Sequence, residues 1–106
     1  MRQENFGEKM PVKRIVIDLS RSNYYDDVHE TIKQALEFPA YYGKNLDALW
    51  DCLRDTFVKK LQWEISFVGT NQTNKELQPY ITEVLKVFAQ AEKAFPYVRI
   101  FLTSEQ

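Results

Sequence analysis

The sequence has one cysteine, three glycines and no long apolar run among its 106 residues. The lone Cys52 excludes an internal disulfide, and the paired cysteines of zinc and redox sites are missing. No stretch approaches the roughly 18 apolar residues that cross a bilayer, and the first ten residues do not resemble a signal peptide. We therefore expect a cytoplasmic protein with no membrane segment, no metal site and no cofactor.

The chain also lacks an excess of either charge, since 14 Lys and Arg face 15 Asp and Glu. A formal net charge of −1 gives no reason to expect binding to nucleic acid or to an anionic membrane. Any electrostatic function must therefore be local. Hydrophobic residues make up 44% of the chain, which at this length is enough for one compact domain.

Three segments have the β-branched and aromatic content of strands: 12–20, 61–69 and 97–103. The continuous run Ile15, Val16, Ile17 favours a central strand that is covered on both faces. The first eleven residues show no periodicity and are predicted to form a flexible tail before a single domain over 12–106.

Helical patterns lie between these strands. The first helix is predicted to begin with Ser22 or Asn23 as its cap and to end before Phe38, with His29 on its solvated surface. The second is predicted from Asn45 to about residue 58, with Gly43 taking the unusual dihedrals of the preceding turn. The third is predicted over 75–94. This order is typical of a parallel α/β sheet with right-handed crossovers.

The second helix has an apolar stripe and an acidic outer face. At 100° per residue, the stripe contains Leu46, Leu49, Trp50, Leu53 and Phe57. Two acids one turn apart, beside a half-exposed indole and after a tyrosine-rich loop, form a surface suited to cationic partners.

A purely structural interpretation of this helix remains open. Acids on an outer helical face commonly serve solubility, and those in the first turn gain from the helix dipole. Trp50 is an ordinary core residue type, and Cys52 is expected to pack quietly because no histidine near it in sequence could activate it. An enzyme with Asp47 and Asp51 as paired carboxylates is disfavoured, since there is no phosphate-cradling glycine loop and no nearby histidine.

The segment YYGKNLDALWDCL, residues 41–53, closely resembles the signature segment of barstar, the intracellular inhibitor of the secreted bacterial ribonuclease barnase. Lys44 is the one change of residue type. The stretch VLKVFAQAEKA, residues 84–94, is similar more loosely, and the order of predicted elements agrees along the whole domain. The resemblance implies a barstar-like α/β fold, with a small three-stranded parallel sheet packed by three to four helices. It implies a protein that binds a partner and is not an enzyme.

The resemblance also implies roles for particular residues. Asp51 would enter the ribonuclease active site and take the place of an RNA phosphate, Asp47 would pair with basic residues at its rim, and Tyr41 would pack on the catalytic histidine. The other implied contact positions in this segment are Gly43, Asn45, Leu46 and Trp50. The implied partner is a basic, barnase-like toxin ribonuclease, and the chain would be its immunity protein and a monomer when free.

Three positions depart from the family pattern. Arg54 replaces a small hydroxyl residue in the implied contact surface, Gln90 replaces an acid on the later helix, and Thr56 replaces an aromatic contact. A positive charge at Arg54 would repel a cationic rim or pair with Asp51 three residues back, and at a stretch with Asp47. These departures keep a second reading open: a non-inhibitory interaction module of the same fold that binds another basic protein.

Overall fold

The computed structural model describes residues 11–59 and 61–103. The predicted tail falls almost entirely on residues 1–10, which lie outside the described part. The predicted strands and helices are all present, with slightly shorter bounds, in the order β1 (Val12–Asp18), α1 (Tyr25–Leu36), α2 (Leu46–Phe57), β2 (Gln62–Val68), α3 (Gln78–Ala94) and β3 (Val98–Leu102). The described part is therefore an α/β fold of three strands and three helices.

The three strands form one parallel sheet in the order β1-β2-β3. The prediction that β1 is the central strand was wrong, because β2 is central and β1 is an edge. Its run of apolar residues reflects two different environments. Ile17 is fully buried on the inner face, whereas the neighbouring Val16 is 65% exposed on the outer face. In register with Val16 across the sheet lies Phe101, which is also exposed.

The core lies between the inner face of the sheet and the helices. Successive buried residues on each helix recur at intervals of three or four, which places one apolar stripe of the helix against the sheet. The buried stripes consist of Val28, Ile32 and Leu36 on α1, Leu49, Leu53 and Phe57 on α2, and Ile81, Val84, Phe88 and Ala91 on α3. Leu46 and Trp50, assigned to the same stripe of α2, are only half-buried at its border.

The predicted caps are right for α2 and wrong for α1. Asn45 caps α2, with its Oδ1 accepting a hydrogen bond from the backbone N–H of Ala48 at 2.8 Å. At α1, Tyr24 is the cap residue, and the Asp27 carboxylate accepts the backbone N–H groups of Asn23 and Tyr24 at 2.9 and 3.0 Å. Asp27, at the third position of the helix, thus satisfies the N–H of the cap residue and of the residue before it, which is the reciprocal half of a capping box.

The glycine prediction before α2 was also wrong. The left-handed residue in this turn is Lys44, with φ 57°, and not Gly43. A Cβ at Gly43 would meet the Ala48 Cβ at 3.4 Å, an ordinary van der Waals contact. The Lys44 ammonium lies 3.2 Å from the Glu30 carboxylate of α1, and this ion pair connects the turn with the neighbouring helix.

His29 was predicted to be solvated and is instead fully buried. Its Nδ1 lies 2.6 Å from the Tyr42 hydroxyl and its Nε2 lies 2.6 Å from the Tyr80 hydroxyl. Burial lowers the pKa of His29, nearby Asp26 raises it and Lys44 lowers it further. The imidazole is therefore a neutral connector between α1, the loop before α2 and α3, and we call these three side chains the Tyr42–His29–Tyr80 network.

Candidate functional site

The loop before α2 contains two tyrosines, of which Tyr42 is buried and Tyr41 is exposed. Tyr42 is buried, packs edge-on against Phe38 and makes the hydrogen bond to His29. Burial raises the pKa of Tyr42, so its hydroxyl stays protonated and available for that bond. Tyr41, the next residue back along the chain, is 86% exposed. The loop therefore exposes the ring of Tyr41, while the buried Tyr42 anchors the loop to the core.

Between this loop and α2 lies an open groove of about 520 Å³, which we call the α2 groove. The site residues that line it are Tyr41, Gly43 and Asp51, and its other lining residues include Glu37, Cys52, Asp55, Thr56 and Lys59.

The α2 groove is acidic. Its described lining residues include three carboxylates, those of Glu37, Asp51 and Asp55, and one cation, Lys59. All three acids are exposed at the surface. A groove with this balance attracts cations and repels phosphate.

Arg54 pairs with Asp51 in the way that its spacing predicts. Its Nη2 lies 3.2 Å from the Asp51 Oδ1, three residues back on α2. Both side chains are more than half exposed, and exposed pairs of this kind contribute only about 0–1 kcal/mol. The ion pairs among the described residues do not include the longer contact from Arg54 to Asp47. A competing guanidinium could therefore displace Arg54 at little cost.

Cys52 is half-buried in the α2 groove and packs against the core. Burial raises the pKa of its thiol, and the negative charges of Asp55 and Asp51 raise it further. The thiolate is therefore disfavoured, and the side chain is a poor nucleophile. This agrees with the packing role that the sequence predicts.

The remaining predicted site residues do not line the α2 groove. Asp47 is exposed on the first turn of α2, and Trp50 is half-buried. Gln90 is exposed on α3, and the described hydrogen bonds do not connect its side chain to α2. Thr56, at the position of the implied aromatic contact, lies in the last turn of α2 and leaves the groove open. Of the predicted set, only Gln90 lies away from the loop and α2.

Sequence reasoning missed Glu37 as a groove residue. It follows the last residue of α1, where its φ of 59° is left-handed and the next N–H, that of Phe38, bonds to the Lys33 carbonyl at 3.0 Å. This cap turns the chain and brings Glu37 beside α2. The turn depends on a left-handed residue that is not glycine, so the sequence contained no signal for it.

A second groove, of about 710 Å³, lies at the start of α1 and is called the α1 groove. It is also acidic and aromatic. Its lining residues are Asn23, Tyr24, Tyr25, Asp26, Asp27, Asn74, Glu76 and Leu77.

Two kinds of site are absent from residues 11–59 and 61–103. No three side chains of His, Cys, Asp or Glu come together there as metal ligands. Within the same ranges, no helix combines the length and apolarity needed to cross a membrane.

Comparison with known proteins agrees with this geometry. Residues 12–102 match the family model described as "Barstar (barnase inhibitor)". The chain is also 35% identical over 82 residues to a protein of Bacillus subtilis (strain 168) named "Putative ribonuclease inhibitor YrdF", covering 77% of this chain and 88% of that protein. The matched range begins at β1, ends with β3 and contains the whole α2 groove.

Proposed function

The chain belongs to the barstar family, and from this premise we propose that it inhibits a barnase-like ribonuclease by covering the active site with α2 and the loop before it. Asp51 takes the place of an RNA phosphate. A site that binds phosphates must be cationic, and a carboxylate fixed on a helix offers the charge that such a site accepts. The protein acts by occupying the site and carries out no reaction of its own.

The observation that carries this proposal is the position of Asp51. Its carboxylate is exposed on a helix that buries Leu49 and Leu53 in the core, so binding costs little backbone ordering. Tyr41 stands beside it on a loop fixed through Tyr42. A rigid acid next to an exposed aromatic ring is the kind of preorganised contact that dominates protein interfaces.

Other residues contribute at the edge of the proposed contact. Asp47 and Trp50 extend the surface along α2, and Asn45 orients the helix by capping it. Arg54 neutralises part of the Asp51 charge in the free protein, so encounter with a basic ribonuclease is steered less strongly than by a lone acid. On the same reasoning, Gln90 supplies a hydrogen bond without charge.

A second candidate function is a non-inhibitory module that binds another basic protein through the same groove. Arg54 favours it, because a cation beside Asp51 repels the cationic rim of a barnase-like active site. The two candidates share the acidic groove and differ in whether a ribonuclease active site is the target.

The test is inhibition of barnase, and of any small basic ribonuclease encoded next to the gene, by the full chain, Asp51→Ala and Asp26→Ala. Asp26 is a matched acid that lies in the α1 groove. Removing one partner of a desolvated charge pair typically costs about 2–5 kcal/mol. We therefore expect Asp51→Ala to weaken inhibition by roughly 30-fold or more and Asp26→Ala to leave it unchanged.

The alternative outcomes separate the two candidates. Inhibition that survives Asp51→Ala would contradict the phosphate mimic while leaving an inhibitor. A folded wild-type chain that inhibits none of these ribonucleases would leave the interaction module. Inhibition of the neighbouring ribonuclease but not of barnase would identify Arg54, Thr56 and Gln90 as the positions to exchange first.

A further inference from the structure

The α2 groove contains two carboxylates that the phosphate mimic does not use. Asp55 lies four residues after Asp51 on α2, and Glu37 lies at the end of α1. Within the described ranges, neither carboxylate has a hydrogen bond or an ion pair, whereas Asp51 is paired with Arg54. Two exposed acids without partners beside the proposed contact therefore remain to be explained.

These acids contribute to a shared field inside the groove. The thiol of Cys52 responds to both Asp55 and Asp51, whose negative charges raise its pKa in addition to burial. Among the described residues that line the groove, Lys59 is the only cation, and it makes no ion pair with a described residue. The groove therefore keeps a negative potential even when Arg54 compensates Asp51.

Two further lining residues bear on what the groove can receive. The ring of Tyr41 lines it and is 86% exposed, and Thr56, which also lines it, has a short side chain. A volume of about 520 Å³ exceeds what a carboxylate pair alone needs and lies in the range of sites that receive a small ligand or a long side chain.

We propose that the α2 groove receives an arginine side chain of the bound ribonuclease, with Asp55 and Glu37 accepting its N–H groups and Tyr41 covering its guanidinium plane. This assignment rests on the proposed function, because the same partner supplies the arginine. Glu37 and Asp55 then determine which ribonuclease is bound. They select a partner that has a guanidinium beside its active site.

Arginine is preferred to lysine for physical reasons. Its planar guanidinium donates two parallel hydrogen bonds to a carboxylate and stacks on an aromatic ring, whereas an ammonium is a compact, strongly hydrated point charge. Two carboxylates and one exposed ring provide both of these contacts.

The experiment titrates the ¹⁵N-labelled full chain with N-acetyl-L-arginine methylamide and, separately, with the corresponding lysine compound. We expect saturable amide shifts at Glu37, Tyr41, Cys52 and Asp55, and tighter binding of the arginine compound by about two- to fivefold. Equal affinities, shifts centred elsewhere or no saturable shift would each overturn the assignment.

Variants then test the two acids. Glu37→Gln combined with Asp55→Asn should weaken binding of the arginine compound by about two- to fivefold. The control combines Glu83→Gln with Asp26→Asn, which makes the same chemical changes outside the groove and should leave that affinity unchanged. Equal losses in both variants would show a general charge effect and would overturn the roles of Glu37 and Asp55.

Failure of this assignment differs visibly from failure of the proposed function. A chain that inhibits a ribonuclease through Asp51 but does not distinguish arginine from lysine keeps the function and loses the arginine site. A chain that binds the arginine compound in the groove but inhibits no ribonuclease keeps the site, and its partner must then be another protein with an exposed arginine.

Discussion

The α1 and α2 grooves have the same kinds of residue and different internal connections. In the α1 groove, Asp27 is used as a helix cap and Tyr25 stacks on Tyr80 with ring centroids 4.0 Å apart. In the α2 groove, Asp55 has no partner among the described residues and Tyr41 stands free. A surface rich in tyrosine and acid is therefore not a binding site by composition alone. The grooves differ in which of these groups are engaged inside the protein: Tyr25 and Asp27 in the α1 groove, and Tyr42 and Asp51 in the α2 groove.

The Tyr42–His29–Tyr80 network connects these two regions, and its removal should have the largest effect. His29→Ala leaves a cavity and deprives two hydroxyls of their partner, so we expect a loss of about 3 kcal/mol in the free energy of unfolding. Urea denaturation measures it. His29→Gln fills more of the space and should lose less. A loss below about 1 kcal/mol for His29→Ala would show that the network is not a structural connection.

The two most exposed tyrosines give a direct contrast between the grooves. Tyr41→Ala should weaken binding to an inhibited ribonuclease by about 2 kcal/mol, which is roughly 30-fold, because an exposed aromatic on a fixed loop is a typical interface anchor. Tyr24→Ala, at 73% exposure in the α1 groove, should have no effect on binding. Titration calorimetry measures both, and equal losses would contradict the assignment of the interface to the α2 groove.

For stability, the larger effect is expected in the α1 groove. Loss of Asp27 should lower the free energy of unfolding more than loss of Asp55. Asp27→Ala removes the acceptor of two backbone N–H groups, and we expect a loss of about 1 kcal/mol in unfolding free energy. Asp55→Ala removes an acid without a described partner and should change stability by less than about 0.5 kcal/mol. Thermal or urea unfolding of the two variants provides the comparison, and similar losses would mean that Asp55 has a structural role.

The last expected effect is a dependence of stability on pH, confined to the range in which His29 titrates. Because burial lowers the pKa of His29 below the unfolded value of 6.5, the unfolded chain binds a proton first as the pH falls. The contribution of His29 is complete above about pH 6.5 and is lost below it, with a slope of at most about 1.4 kcal/mol per pH unit. Urea denaturation between about pH 5.5 and 7.5 measures this slope. His29→Gln should remove it, and an unchanged slope would assign the dependence to other groups.

The sequence predicts the cap and the apolar stripe of α2 well, because both depend on residues close in the chain. The cap of α2 needs only Asn45 and the N–H three residues later, and the apolar stripe of α2 needs only its period. The signature segment likewise lies within thirteen residues. These features make the fold and most of the α2 surface predictable.

Two of the features that the sequence did not reveal depend on distant neighbours, and a third is a local turn. The place of β1 at the edge depends on which strand occupies the centre of the sheet, and an apolar Val16 on the outer face gives no local sign of it. His29 is buried because Tyr80, 51 residues later, supplies a second partner. Glu37 reaches the α2 groove through a backbone turn that its residue type does not favour.

The Tyr42–His29–Tyr80 network has a polarity that heavy-atom positions do not show. A neutral imidazole has one N–H and one bare nitrogen, so one tyrosine oxygen accepts a hydrogen bond from the ring while the other tyrosine hydroxyl donates one to it. Two tautomers of His29 therefore fit the same heavy-atom geometry, and the direction of both hydrogen bonds is reversed between them. In one of them the Tyr42 hydroxyl, in the loop before α2, donates its hydrogen bond to His29, and in the other it accepts one. The geometry of this loop thus admits two proton arrangements, which imidazole ¹⁵N shifts distinguish.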